Sequence, residues 1–218
     1  FGVDLNRNYG YKWGFDNVGS SNFTSSDTYR GPSPFSEPEI QMVRDFCNSH
    51  PFYFALNNHT YSNVLIYPWG YKANTYTPAP DSLIFKNDAI RLAQCNGYVT
   101  GTPNQTVGYI VNGSSDDWMY GEQSTKAKIY AWTPEVGFGT DGFWPAPNRI
   151  IPLANDNIYA NLMLPKLATK YAQVSHHERL DVGQLGNYFA FDFHVIGMDT
   201  TGNFTVSLIP VSSNVISV

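Results

Sequence analysis

Charge is scarce in this chain, and positive charge scarcer still. Asp, Glu, Lys and Arg make up 14% of the 218 residues, 13 of them basic and 18 acidic, for a formal net charge of -5. No basic cluster stands out, so a nucleic-acid partner is not expected. Hydrophobic residues reach 42%, so the low charge excludes disorder rather than suggesting it. Long apolar runs are missing as well, which argues against membrane insertion. Cysteine is limited to Cys47 and Cys95. Both fall on helical patterns and neither has the spacing of a metal site, so both are expected as buried free thiols. The most informative lack concerns histidine. Three residues after His50, His59, His176, His177 and His194 stand Tyr53, Ser62, Arg179, Leu180 and Gly197, so His-x-x-Glu is absent. His-Glu-x-x-His is absent too, and no single local motif supplies a metal centre.

What is present reads as alternating helices and strands. Residues 10 to 35 are rich in Gly, Ser, Asn and Pro and read as loop. "SEPEIQMVRDFCNSH" predicts a helix with Ser36 as N-cap, Glu39 completing a capping box, and Pro38 in the first turn. Its apolar face is Ile40, Val43, Phe46 and Cys47. "FYFALNN" predicts a buried strand running into His59. Residues 81 to 96 predict a helix stopped by Gly97. "KIYAWTPE" predicts a strand ending at Glu135, and "RIIPLANDNIYANLMLPKLATKY" a long helix bent at Pro165. After Tyr171 the period changes to two. In "NYFAFDFHVI", Phe189, Phe191, Phe193 and Val195 alternate with Ala190, Asp192 and His194, and "FTVSLIPV" alternates again after a turn. The "HHE" at 176–178 reads as surface linker.

Several local motifs carry chemistry: Asp4, Asn6 and Arg7 in "GVDLNRNY", His59 in "HTYSNVLIYPWGY", Tyr109, Asp116 and Asp117 in "GYIVNGSSDDWMY", and Glu135 in "YAWTPEVG". In this order and spacing they resemble the zinc carboxypeptidases of the pancreatic carboxypeptidase A/B type, over residues 1 to about 172. The resemblance implies a role for each. His59 would be the third zinc ligand, a neutral imidazole directed by a strand end. Glu135 would be the catalytic carboxylate, taking a proton from water and returning it to the leaving amine. Arg7 and Asn6 would hold the substrate's C-terminal carboxylate, with Tyr109 closing over it. Asp4 would orient another zinc-binding histidine. Tyr61 and Phe143 would line the substrate cleft, and Thr60–Tyr61, where the family has Ser-Tyr, would be a cis peptide. Asp116 would lie at the floor of the pocket for the terminal side chain and favour Lys or Arg there.

The resemblance also implies what these residues do not supply. Two further zinc ligands, a His-x-x-Glu, and an arginine that stabilises the oxyanion are expected outside this chain. The expected architecture is α/β. Residues 1–172 would be the C-terminal half of a mixed-sheet α/β/α carboxypeptidase domain, and residues 173–218 the start of a β-sandwich-like accessory module, too short for a complete sandwich of roughly 100 residues. The expected function is a secreted or periplasmic zinc metallocarboxypeptidase acting on peptide C-termini, partnered by the missing N-terminal half of the domain. Other readings of the same residues are a peptidoglycan stem-peptide carboxypeptidase of this fold and a metal-free peptide-binding module. A carbohydrate site is disfavoured, since adjacent aspartates on a strand point to opposite faces.

Overall fold

The computed structural model describes residues 2–176, 191–207 and 209. The chain forms two compact units, Phe1–Pro165 and Lys166–Val218. The first contains a mixed four-stranded sheet. Its strands are β1 (Phe54–Leu56), β2 (Val64–Ile66), β3 (Val99–Gly101) and β4 (Tyr130–Glu135), in the order β1-β4-β2-β3. β1 runs parallel to β4, β2 antiparallel to β4, and β2 parallel to β3. Helices are α1 (Pro38–Ser49), α2 (Asp81–Leu92), the short α3 (Pro103–Thr106) and α4 (Ser115–Gly121), and the long α5 (Pro147–Leu167).

β4 is the central ruler of this unit, and all six of its residues are buried. Side chains alternate along a strand. Tyr130 and Trp132 meet Phe85 of α2, at 5.2 and 5.3 Å between ring centroids. Ala131 belongs instead to the cluster of Tyr9, Ile40, Cys47, Trp118 and Met119, which seats α1 and α4. Thr133 and Glu135 continue the Ala131 side. Ile66 lies opposite Thr133 and Val64 opposite Glu135 in the register with β2. Helix α2 on one face and α1 with α4 on the other therefore press the strand between apolar layers, while its C-terminal end opens to a cleft.

Several expectations are corrected in detail. α1 is capped by Glu37 rather than Ser36, with no side-chain capping bond. Ser36 Oγ is diverted: it accepts from Asn8 Nδ2 at 2.9 Å and donates to Glu37 at 2.6 Å. α2 stops at Leu92, and Cys95 sits exposed in the turn that ends at Gly97 (φ +67°), whereas Cys47 is buried as a free thiol. Asp116 and Asp117 lie in the first turn of α4, not on a strand.

The second unit contains an antiparallel pair, β5 (Ala172–His176) and β6 (Phe191–Val195). Its burial does not alternate as the period-two pattern predicts, since Phe193 is 36% and Val195 43% exposed. Phe204 meets Phe193 edge to face at 5.3 Å, and residues 203–207 form no strand. A two-stranded ribbon has too few neighbours to bury a face. Phe189, Ala190, His177 and Glu178 lie outside the described residues.

Candidate active site

One cleft of ≈ 240 Å³ gathers Asp4, Asn6, Arg7, His59, Tyr109, Asp116, Glu135 and Phe143. These residues come from distant parts of the chain, and backbone contacts pin them together. His59, beyond the end of β1, and Glu135, the last residue of β4, form a parallel β-bridge: the His59 amide donates to the Pro134 carbonyl at 2.9 Å, and the Val136 amide to the His59 carbonyl at 2.8 Å. The 3-10 turn Leu5–Arg7 joins from the other side. Asp4 caps it by accepting the Asn6 amide at 2.9 Å. Asn6 Oδ1 accepts the Ser115 amide at 2.9 Å, which ties the turn to α4. That bond also fixes the orientation of the Asn6 amide, leaving its NH₂ as the group offered to the cleft.

Arg7 is held in place by its own neighbourhood. Its Nη1 donates to the Asn6 carbonyl at 2.9 Å and lies 3.6 Å from Asp4, while Nε is buried without a partner. Gly113 is required beside it: φ is +69°, and a Cβ there would come within 2.6 Å of the Arg7 carbonyl oxygen. Tyr109, half exposed, sits between Gly108 (φ +78°) and that glycine. Thr60–Tyr61 is a cis peptide, as is Pro68–Trp69. Tyr61 does not line the cleft. It stands behind Phe143, with ring centroids 5.0 Å apart and edge to face.

The electrostatics follow from burial. Glu135 is pushed up to about 7, first by burial and then by the charge of Asp116, with Arg7 pulling the other way. Burial lowers His59 below the ordinary histidine value, with Asp116 and Asp4 opposing, and keeps it neutral. Asp116 is 4% exposed. Its Oδ1 accepts the Asp117 amide at 3.0 Å. Asp117 turns away and accepts the amides of Gly70 and Tyr71, both at 2.9 Å, through its two oxygens. Four apolar side chains share the cleft lining with Asp116 and Glu135: Ile66, Pro103, Val107 and Val111. No motif announces those four. The alternation of β2 and β4 could have found Ile66 and Thr133, because register partners share a face.

A family model described as zinc carboxypeptidase matches residues 1–160. This chain belongs to the zinc carboxypeptidase family. Carboxypeptidase B from Astacus astacus is 36% identical over 161 residues, covering 71% of this chain and 51% of that protein. Human carboxypeptidase A5 is 36% identical over 160 residues, covering 71% of this chain and 35% of its own length. Among solved structures, bovine thrombin-activatable fibrinolysis inhibitor in complex with tick carboxypeptidase inhibitor matches with a TM-score of 0.64 at 26% identity, over 75% of this chain and 55% of that one. Carboxypeptidase A from Helicoverpa armigera gives 0.64 and 26%, over 76% and 41%. The chain thus spans about half or less of the curated relatives it matches.

The family's metal sets a test for these residues. Among the described residues no three His, Cys, Asp or Glu side chains cluster as a metal site. His59 alone has the right donor: a neutral imidazole on the cleft wall whose ring is tied up by no hydrogen bond. One ligand fits, and the described residues do not complete the set of about three or four that zinc needs.

Proposed function

We propose that the chain belongs to a secreted metallocarboxypeptidase that removes the last residue of a peptide, with preference for Lys or Arg. The supporting observation is the convergence of a carboxylate clamp, a proton-handling carboxyl and a buried aspartate in one cleft. In this reading His59 is one of three protein ligands to zinc, the other two lying outside this chain. The metal, when bound, supplies polarisation of water and of the scissile carbonyl. Arg7 and the Asn6 NH₂ donate to the substrate's terminal carboxylate, and the Arg7 group with no internal partner is the one that gains most. Tyr109 closes over the same carboxylate. Asp4, already bonded to the turn that bears Arg7, orients a histidine supplied from outside.

Glu135 handles the proton. Peptide hydrolysis adds hydroxyl to the carbonyl carbon and hydrogen to the leaving nitrogen. A carboxyl with its pKa near neutrality can take a proton from water and give it to that nitrogen in turn. Asp116 faces the terminal side chain, between walls that suit an alkyl stem. Phe143, backed by Tyr61, flanks the next residue upstream.

The test is hydrolysis of matched peptides by the intact protein. A free C-terminus is expected to be cut at least about a hundredfold faster than the same peptide as its amide, since the amide leaves Arg7 unpaired. Equal rates would refute the clamp.

A further inference from the structure

The sequence contains Asn-x-Ser/Thr triplets at Asn22, Asn58, Asn104, Asn112 and Asn203, none with proline in the middle. A glycan on asparagine needs an amide that can leave the protein surface, so the fold sorts them. Asn112 is 0% exposed. It donates to the Tyr71 carbonyl and accepts the Asp16 amide, both at 3.2 Å, and a Cβ on Gly19 would lie 2.5 Å from its Nδ2. A sugar there is incompatible with the folded chain. Asn104 lies in α3, where the Thr106 hydroxyl is spent on the Thr102 carbonyl at 2.9 Å. Asn58 adjoins His59 and lines a neighbouring hollow with Asp4 and Asn6, where a glycan would crowd the segment that bears His59. Asn203 is exposed, in the second unit.

Asn22 is placed differently. It opens a loop closed by the bridge between Ser21 and Tyr29. Asn22, Phe23 and Thr24 are all exposed, Phe23 at 70%. Neither the Asn22 amide nor the Thr24 hydroxyl is engaged by another described residue. The loop itself is anchored. Asp16 Oδ1 accepts the amides of Val18 and Gly19 at 3.0 and 2.8 Å, and Arg30 donates to Asn17 and Ser20. A rigid base therefore holds a free acceptor outward. The same loop shows solvent the large apolar side chain of Phe23, 70% exposed, which a bulky hydrophilic group on the adjacent Asn22 would cover.

We propose that Asn22 is an N-glycosylation acceptor. The donor class is a polyisoprenyl-pyrophosphate oligosaccharide, presented by a membrane-bound transferase during secretion. Asn22 Nδ2 forms a bond to C1 of the first sugar. The C1–O bond to pyrophosphate breaks, the pyrophosphate leaves with the electron pair, and the amide gives up one proton. Nothing is oxidised or reduced. The assignment rests on the secreted placement proposed above and on none of the cleft residues.

The experiment is secretion of the intact protein from insect cells, followed by peptide mapping before and after a peptide-N-glycosidase. The peptide bearing Asn22 is expected to carry a glycan that the enzyme removes, leaving aspartate. Asn22→Gln and Thr24→Ala should each abolish it, and Thr24→Ser should retain it. Thr24→Ala keeps the asparagine, so a loss there reports the triplet even if Asn22→Gln is not secreted. An unmodified Asn22 peptide in secreted wild type would overturn the proposal, as would a glycan on Asn22 that survives Thr24→Ala. Peptidase activity is read on the same samples. A glycosylated protein without activity would count against the proposed function and leave this assignment standing.

Discussion

Replacing Asp116 should change which peptides are cut rather than whether peptides are cut. The carboxylate is 4% exposed, it keeps one hydrogen bond, from the Asp117 amide, and Ile66, Pro103, Val107 and Val111 share its cleft. A lysine or arginine side chain would pair with it, whereas a leucine would fill the cleft and leave the charge unpaired. Leaving a buried charge unpaired costs about 3 to 5 kcal/mol. The amide bond and the open mouth of the cleft argue for the low end, about 3 kcal/mol, which is on the order of a hundredfold in kcat/KM at about 1.4 kcal/mol per tenfold. Asp116→Asn removes the charge at constant size and should erase most of that preference. Asp116→Ile should invert it. The assay is kcat/KM of the intact protein on peptides identical except for a final Lys or Leu. Arg7→Lys supplies the control: it should weaken both substrates alike and leave their ratio unchanged, because it reads the carboxylate they share. Wild type that prefers Leu, or an Asp116→Asn variant with an unchanged ratio, would show that Asp116 does not meet the terminal side chain.

Other outcomes follow from the groups that hold the cleft in shape. Asp81→Ala strands the buried hydroxyls of Tyr120 and Tyr130, which now donate to Asp81 at 2.8 and 2.6 Å, and should cost about 2 to 4 kcal/mol in denaturant unfolding. Burial raises the Asp81 pKa, but bonds from Lys128, Tyr130 and Tyr120 outweigh it and hold the value below the ordinary one. Its contribution should thus be complete above the usual carboxylate range and fade only as pH falls below it, a loss of stability that Asp81→Asn would not show in an acid titration. Asn8→Asp turns a donor facing the Arg30 and Ser33 carbonyls, at 2.8 and 3.0 Å, into an acceptor, and should lower stability by more than about 3 kcal/mol by calorimetry. Gly113→Ala forces a Cβ against the Arg7 carbonyl at φ +69°, and should cost about 1 to 3 kcal/mol and raise KM more than it lowers kcat. Equilibrium dialysis of residues 1–218 alone should find no tight stoichiometric zinc, since among the described residues His59 is the one imidazole lining the cleft.

The residues gathered in the cleft were legible in the sequence because each stands in a motif that joins a reactive side chain to a local chain geometry. "NRN" follows a capping aspartate, "HTYS" follows a strand, and Glu135 ends one. What was not legible was long-range substitution of one bond for another. Ser36 with Glu39 is a sound capping signal, yet Asn8, 28 residues earlier, takes the serine hydroxyl and leaves the helix to begin one residue later. The aspartate pair is placed on a strand by the sequence reading, since nothing local in so short a stretch as "DDWMY" separates strand from helix. It folds as a helix because Trp118 and Met119 have to reach the same cluster as Ile40 and Cys47. The alternation after Tyr171 does mark a strand, β6, but period two reports only a face that could be buried, and among the described residues β5 and β6 have no partner layer to bury it.

That aspartate pair shows why the helix matters for the chemistry. On a strand, Asp116 and Asp117 would point to opposite faces, and one of them would be lost to the cleft for lack of a reason to be there. In the first turn of α4 they diverge by roughly 100°. One carboxylate faces the cleft, while its neighbour accepts the backbone amides of Gly70 and Tyr71 and so fixes the segment after β2. The helix is in turn anchored to the proposed carboxylate clamp, because the Ser115 amide donates to Asn6 Oδ1. A single turn of chain thus links the group proposed to read the terminal side chain with the groups proposed to read the terminal carboxylate. The distance between those two readings is set by one hydrogen bond, from the Ser115 backbone amide to the Asn6 side-chain oxygen. Breaking that bond with Asn6→Ala should therefore do more than remove a donor: it should weaken binding of every substrate and also blunt the contrast between Lys and Leu. A variant lacking only the donated bond, Asn6→Asp, keeps the acceptor for Ser115 and should lower affinity while preserving the contrast.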